Sequence, residues 1–181
     1  RARGVTIRTR TSVTRILQEG GRVMGVETDC GAIHAGCVID AAGAWGVGIA
    51  ASLGFALGAA PVRSHYFITA PDREARRDHP TVYLPDARAY ARPEVGGLLL
   101  GVQEPPSRTY DARPLPDDIA DFPLTDAGED WSVLVEHAES LRRFIPRLAA
   151  MPLAHHITGL SMYTPGGKFI LGRAGDVDGF F

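Results

Sequence analysis

The sequence predicts a mixed fold, α/β in its opening part and α+β thereafter. Three observations carry this. Short alternating runs separated by Gly-containing turns fill the first 40 residues; one continuous apolar run then leads through small residues into a helical pattern; and several short β-rich runs between Pro, Asp and Gly breakers follow. Val5, Ile7 and Thr9 alternate with Thr6, Arg8 and Arg10, which reads as a strand. Strands are expected over 13–18, 23–28 and 32–40, with turns at Gly20-Gly21 and at Asp29-Cys30-Gly31, because Gly accepts positive φ at little cost.

Cys37, Val38 and Ile39 are consecutive rather than alternating apolar residues, which predicts a strand covered on both faces. Leaving Val38 and Ile39 uncovered costs about 1.5–3 kcal/mol each. Ala41-Ala42-Gly43 reads as a tight turn, and Trp45, Ile49 and Leu53 recur at helical spacing up to a capping Gly54. Further strands are expected at 61–69, 81–84, 87–92 and 97–102, then a Pro- and Asp-rich surface loop over 104–130. Trp131, Leu134, Val135, Ala138, Leu141 and Ile145 make the apolar stripe of a helix that Pro146 closes. The remainder, "HHITGLSMYTPGGKFILGRAGDVDGFF", returns to strands and tight turns.

Composition narrows the function. The chain has 181 residues, a soft prior of one domain or two small ones, and 45% apolar with 22% charged residues excludes wholesale disorder. A net charge of −2 argues against a nucleic-acid footprint or a polybasic membrane patch, and no apolar run reaches the ~20 residues of a membrane span. Eighteen of the nineteen basic residues are Arg, a bias that points to a GC-rich and hence bacterial genome. Cys30 and Cys37 fall at different heights of one hairpin, so no bridge is expected, and free thiols suit a reducing cytoplasm. None of the six His has zinc spacing with a Cys or a second His, so local spacing predicts no metal site. A G-x-S-x-G elbow, a Walker sequence and a G-x-G-x-x-G after a strand are all missing.

Two segments invite chemistry. "VIDAAGAWG" ends a strand in small residues that let a ligand approach the backbone, and the following helix start offers N–H groups to phosphate; a tightly packed turn is the plainer explanation. "GLSMYTPGGKFILG" centres on a turn that lines a cofactor or simply closes a hairpin.

In this order and spacing the segments resemble the FAD-dependent D-amino-acid oxidase superfamily, most closely its sarcosine dehydrogenase, dimethylglycine dehydrogenase and glycine oxidase branch. "GVTIRTRTSVTRI" with "GGRVMGVETDCGAIHAGCVIDAAGAW" is similar to the meander and returning strand of the FAD domain. "PVRSHYFIT" resembles the entry strand of the substrate domain, "YARPEVGGLLLGVQE" the sheet facing the flavin, and "TGLSMYTPGGKFILG" the late FAD-contact loop. The resemblance implies part of a FAD-binding sheet with a β-meander plus an antiparallel-sheet substrate domain. It implies a FAD-domain segment over 1–58, a substrate domain over 59–156 and a returning FAD-domain segment over 157–181. Both ends then read as cut, with the N-terminal βαβ unit and a final Gly-rich segment missing, and the 181 residues alone are expected to bind FAD poorly.

Residue by residue, the resemblance puts Val13 at the adenine end of FAD, and Ala42, Gly43 and Trp45 along its phosphate and ribityl region. It puts Tyr163, Thr164, Gly167 and Lys168 near the flavin ring and its tail. Tyr90, Arg92 and Ser161 become substrate-side groups, with Arg92 the candidate partner of a substrate carboxylate; a cross-strand aromatic and a surface ion pair are the plainer readings of Tyr90 and Arg92. Gly166 stands where relatives carry Asp in a T-P-D-G turn. Ser161 stands where monomeric sarcosine oxidases link the flavin through Cys and glycine oxidase places a carboxylate-binding Arg. The implied activity is oxidation of the C–N bond of an amino acid or N-methyl amino acid, such as sarcosine, dimethylglycine or glycine, by hydride transfer to flavin, with an electron acceptor or a second subunit as possible partners. A cofactor-free β-rich binding module and a flavin-dependent 2-hydroxy acid oxidase are the alternatives.

Overall fold

The computed structural model describes residues 3–104, 106–125, 130–174 and 176–181. The chain forms two compact units, Arg1–Ala60 with Tyr163–Phe181, and Pro61–Met162. No helix among the described residues is long and apolar enough to cross a membrane.

The first unit begins with a three-stranded antiparallel meander, β1 (Val13–Glu19), β2 (Arg22–Thr28) and β3 (Gly31–His34), in that spatial order. Ile16 and Val23 are its buried positions, and Gly20 and Gly21 both take positive φ in the β1–β2 turn. The register slips between Val13 and Arg15, a bulge at Thr14. Two expectations fail here. Residues 5–10 form no strand, and Val5 and Ile7 lie exposed, because alternation alone supplies no partner strand. The run over 37–39 is not a doubly covered strand either: only Val38 makes a bridge, parallel, to Phe180, and Ile39 is 73% exposed.

That bridge is part of a seam along residues 178–181. Val23 N donates to Asp178 O at 2.9 Å, Val38 N to Gly179 O at 2.8 Å and Asp40 N to Phe181 O at 2.7 Å. The final segment thus lies between the meander and residues 38–40, and Phe180 fills the core with Ile16 and Val23. Gly179 (φ +81°) passes so close to the Gly36 carbonyl that a Cβ would sit 2.6 Å from its oxygen. A 3₁₀ turn, Gly43–Trp45, runs into helix α1 (Gly46–Ser52), and Gly54 follows at φ +86°. Cys30 and Cys37 are free and exposed.

The second unit is a five-stranded sheet with one helix against it. Strands β4 (Ala60–Thr69), β5 (Val82–Leu84), β6 (Ala89–Glu94), β7 (Gly97–Val102) and β8 (Leu153–Tyr163) lie in the order β5-β6-β7-β4-β8. The residue 156/157 boundary expected between domains falls inside β8. Helix α2 (Asp130–Arg142) places Val133 and Leu141 against Phe67, Ala89, Ala91, Leu100 and Val102, which together form the core. Side chains alternate along a strand, so on β4 the residues Arg63, His65 and Phe67 face this layer while Ser64 and Tyr66 face the other way.

Arg63 is therefore a buried cation. Its Nε and Nη2 donate to Glu104 at 2.8 and 2.5 Å, and Nη1 donates to the Leu124 carbonyl at 3.0 Å and lies 2.9 Å from Asp130 Oδ1. This corrects the plain surface loop expected over 104–130. Residues 108–110 pair with the end of β4, through Arg63 N to Arg108 O and Tyr110 N to Pro61 O, both 2.9 Å, and Leu124 is buried.

Burial pushes the Glu104 carboxyl up, but the Arg63 hydrogen bonds, the Arg108 amide and the Arg63 charge outweigh it and hold its pKa at about 2. A carboxyl depressed on folding stabilises the fold above its unfolded value, and that contribution is lost as pH falls towards the folded value. Urea midpoints are expected to fall as pH drops from the ordinary 4.5 towards about 2. Glu104→Gln is expected to remove that part of the fall and to cost about 3–5 kcal/mol at neutral pH, since it leaves a buried guanidinium short of its partner.

Candidate functional site

The open face of the five-stranded sheet gathers hydroxyls. Tyr66 and Tyr90 both stand opposite Gly101, on the two strands that flank β7. Their rings meet edge to face at 6.4 Å. Gly101 leaves the room for this: a Cβ there would run into the Tyr90 ring. Burial, with help from the Tyr66 hydroxyl, pushes the Tyr90 phenol up to about 12, so it is a neutral hydrogen-bonding group at any physiological pH. One step along β4, Ser64 Oγ lies 3.3 Å from Ser161 Oγ on β8. Two of the three substrate-side candidates, Tyr90 and Ser161, thus share one face through Tyr66 and Ser64.

Arg92 extends the same face of β6 but is engaged: its Nη2 lies 2.8 Å from Glu94 Oε2. It borders a cavity of about 260 Å³ with Asp72, Glu74, Leu98 and Arg147. Arg147 in turn pairs with Asp72 at 2.8 Å and Glu74 at 3.3 Å.

The cofactor-side candidates all fall in the first unit. Val13 is exposed beside the β1 bulge. Ala42 N donates to Asp40 Oδ1 at 2.9 Å, Trp45 N donates to Ala42 O at 3.2 Å, and Gly43 is exposed at φ +57°. A Cβ on Gly46 would lie 3.0 Å from Asp40 Oδ2, so a carboxylate already occupies the start of α1. The Asp40 carboxylate therefore lies beside the N–H groups expected to face phosphate and accepts from one of them, Ala42 N. Thr164, Gly167 and Lys168 close a turn on themselves. Thr164 Oγ1 donates to Lys168 O at 2.7 Å and accepts from Lys168 N at 3.1 Å, and Gly167 N donates to Thr164 O at 3.0 Å. Tyr163 is exposed beside it, and beyond it Phe169 and Leu171 are 94% and 90% exposed. The backbone at Gly43 and the apolar side chains of this segment thus lie exposed within the unit.

The sequence reading missed Ser64, Tyr66, Gly101 and Asp40. The first two share parity in "PVRSHYFIT", but so do the apolar and buried Val62 and Ile68, and the other parity carries Arg63 and His65, so alternation in that run did not single them out. Gly101→Ala is expected to evict the Tyr90 ring and cost about 1–3 kcal/mol, as overpacking does. Ultraviolet titration is expected to show one tyrosine ionising near pH 12 in the parent protein and earlier in Tyr66→Phe.

Comparison with known proteins places this architecture. The chain is 29% identical over 184 residues to the mouse mitochondrial pyruvate dehydrogenase phosphatase regulatory subunit, covering 98% of this chain and 20% of that protein. It is 30% identical over 165 residues to human mitochondrial sarcosine dehydrogenase, covering 88% and 17%. The chain therefore spans about a fifth of the length of these curated relatives. The crystal structure of L-proline dehydrogenase from P. horikoshii superposes with a TM-score of 0.71 at 22% identity, over 94% of this chain and 42% of that one, and shares the fold. The DAO model, described as FAD dependent oxidoreductase, matches residues 1–181, and the chain belongs to that family.

Proposed function

We propose that the protein carrying this chain is a FAD-dependent oxidoreductase that oxidises the C–N bond of an amino acid or N-methyl amino acid, with sarcosine, dimethylglycine and glycine as the first substrates to test. The observation that carries this reading is the family match along the whole chain, 1–181. The name of the human relative, sarcosine dehydrogenase, favours an N-methyl amino acid. FAD, when bound, accepts the hydride from the carbon next to nitrogen.

The chain's own residues have the remaining tasks. Val13, Ala42, Gly43 and Trp45 hold the nucleotide end of the cofactor by backbone contact and packing. Tyr163, Thr164, Gly167 and Lys168 border its flavin end. Tyr90 stays protonated and, with the Tyr66 hydroxyl, orients the substrate by hydrogen bonds, and Ser64 with Ser161 offers hydroxyls beside them. Arg92 remains the candidate cation for the substrate carboxylate, sharing its charge with Glu94. Cys30 and Cys37, both free and exposed, suit a reducing compartment, and we place the protein in the cytoplasm.

A second reading rests on one observation. The mouse relative is a regulatory subunit by name, and it matches 98% of this chain, which favours a cofactor-binding but non-catalytic role.

The test is anaerobic mixing of the full-length protein with candidate substrates while the flavin absorbance is followed. Bleaching by sarcosine, dimethylglycine, glycine or proline, and not by 2-hydroxyglutarate, is the expected result. Tyr90→Phe is expected to slow bleaching about tenfold, the scale of one lost hydrogen bond. A flavin that no amine bleaches favours the regulatory role, and a purified protein without flavin overturns both.

A further inference from the structure

The helix-covered side of the sheet holds a second polar constellation that the proposed oxidation does not use. His65 on β4, Asp130 at the start of α2 and His156 on β8 each offer one ligand atom, and these atoms all lie within 4.8 Å of one another. His65 is fully buried, Asp130 likewise, and His156 partly so. We infer that these three side chains form a binding site for one divalent transition-metal ion of the zinc class, tying β4, β8 and α2 together.

Geometry supports this first. His65 Nδ1 and His156 Nε2 are 3.2 Å apart although 91 residues separate them. Zinc–nitrogen bonds of about 2.0–2.1 Å at a tetrahedral angle put two ligand nitrogens about 3.3–3.4 Å apart, so the pair already spans one edge of such a site. Both imidazoles are held in place: His156 stacks on Phe67 at 4.6 Å and on His65 at 5.4 Å, with Trp131 at 5.8 Å. The donor set is two imidazole nitrogens and one carboxylate oxygen, which suits Zn²⁺ or Co²⁺ and not the all-oxygen preference of Mg²⁺ or Ca²⁺. Metal on Nδ1 leaves the His65 proton on Nε2, which makes no hydrogen bond and has Glu104 Oε2 as its near carboxylate at 3.5 Å.

Charge supports it independently. One buried guanidinium, Arg63, faces two buried carboxylates, Glu104 and Asp130. The cluster thus carries an excess negative charge in a layer of low dielectric, where a cation is the favourable complement. The Arg63–Asp130 contact orients the carboxylate and tempers the affinity, so the site is expected to be selective and not of the tightest kind.

The experiment uses the intact protein with Cys30→Ser and Cys37→Ser, which removes the exposed thiols as competing ligands. It is loaded with Zn²⁺, passed through gel filtration and analysed for metal, with Mg²⁺ as control. A raised Tm with Zn²⁺ only, and one zinc equivalent that disappears in His156→Gln and persists in His155→Gln, is the expected result. Should His156→Gln fail to fold, X-ray absorption of the unsubstituted zinc-loaded protein decides: two imidazoles with oxygen and no sulphur support the site. Zinc bound equally by His156→Gln, sulphur in the first shell, or no change in Tm and no retained zinc overturns it.

Discussion

Arg63 organises the second unit. Its position is unusual for a guanidinium, in the middle of a sheet face that otherwise packs Phe67, Leu100 and Val102 under a helix. Burying that charge is costly, and its compensation comes from three places far apart in sequence: the Glu104 carboxylate just beyond β7, the Leu124 carbonyl and the Asp130 carboxylate at the head of α2. Each is a point at which the long connection from β7 to α2 is fixed to β4. Without them that connection has little apolar surface of its own to bury, and its length makes closure entropically unfavourable. The ion network therefore does for this loop what a hydrophobic core does for the strands.

The same sheet has a second character on its other face, and the two-residue period of a strand keeps the two apart. Along β4 the odd positions deliver Arg63, His65 and Phe67 to the helix-covered layer, and the even positions deliver Ser64 and Tyr66 to the open one. Gly101 on the neighbouring strand admits the ring of Tyr90 beside Tyr66. Around Tyr66 the open face carries hydroxyls, with the Arg92–Glu94 pair farther along β6, and the covered face carries Arg63, His65 and His156. Rigid backbone shared by both means that the placement of Tyr66 depends on how firmly Arg63 and His65 are seated beneath it.

The first unit relies on a different device. Residues 178–181 run between the meander and residues 38–40 and supply hydrogen bonds to both sides, with Phe180 as the apolar plug. Close approach at Gly179 makes this seam possible. The Asp40 corner and the Thr164–Lys168 turn then present compact, internally hydrogen-bonded backbone, next to apolar side chains that nothing in the unit buries.

Local order was legible in the sequence wherever a residue pattern and its partner lie close together. The β1–β2 and β2–β3 hairpins follow from the Gly20-Gly21 and Asp29-Cys30-Gly31 turns and alternation, and the order of four short motifs was enough to indicate the family. Helical spacing indicated α2 but not its buried face, which is Val133, His137 and Leu141, while Trp131 and Val135 of the expected stripe are exposed and Ile145 lies past the helix end. Residues 5–10 show the reverse case: the alternation is there and the strand is not, because a strand exists only when another edge accepts its hydrogen bonds. Tertiary structure alone decided that Arg63 would be buried, that an apparent surface loop would be tethered to it, and that His65 and His156 would meet beside Asp130. The physical reason is that the desolvation of a charge and the convergence of donor atoms depend on distances between strands that are neighbours in space and remote along the chain.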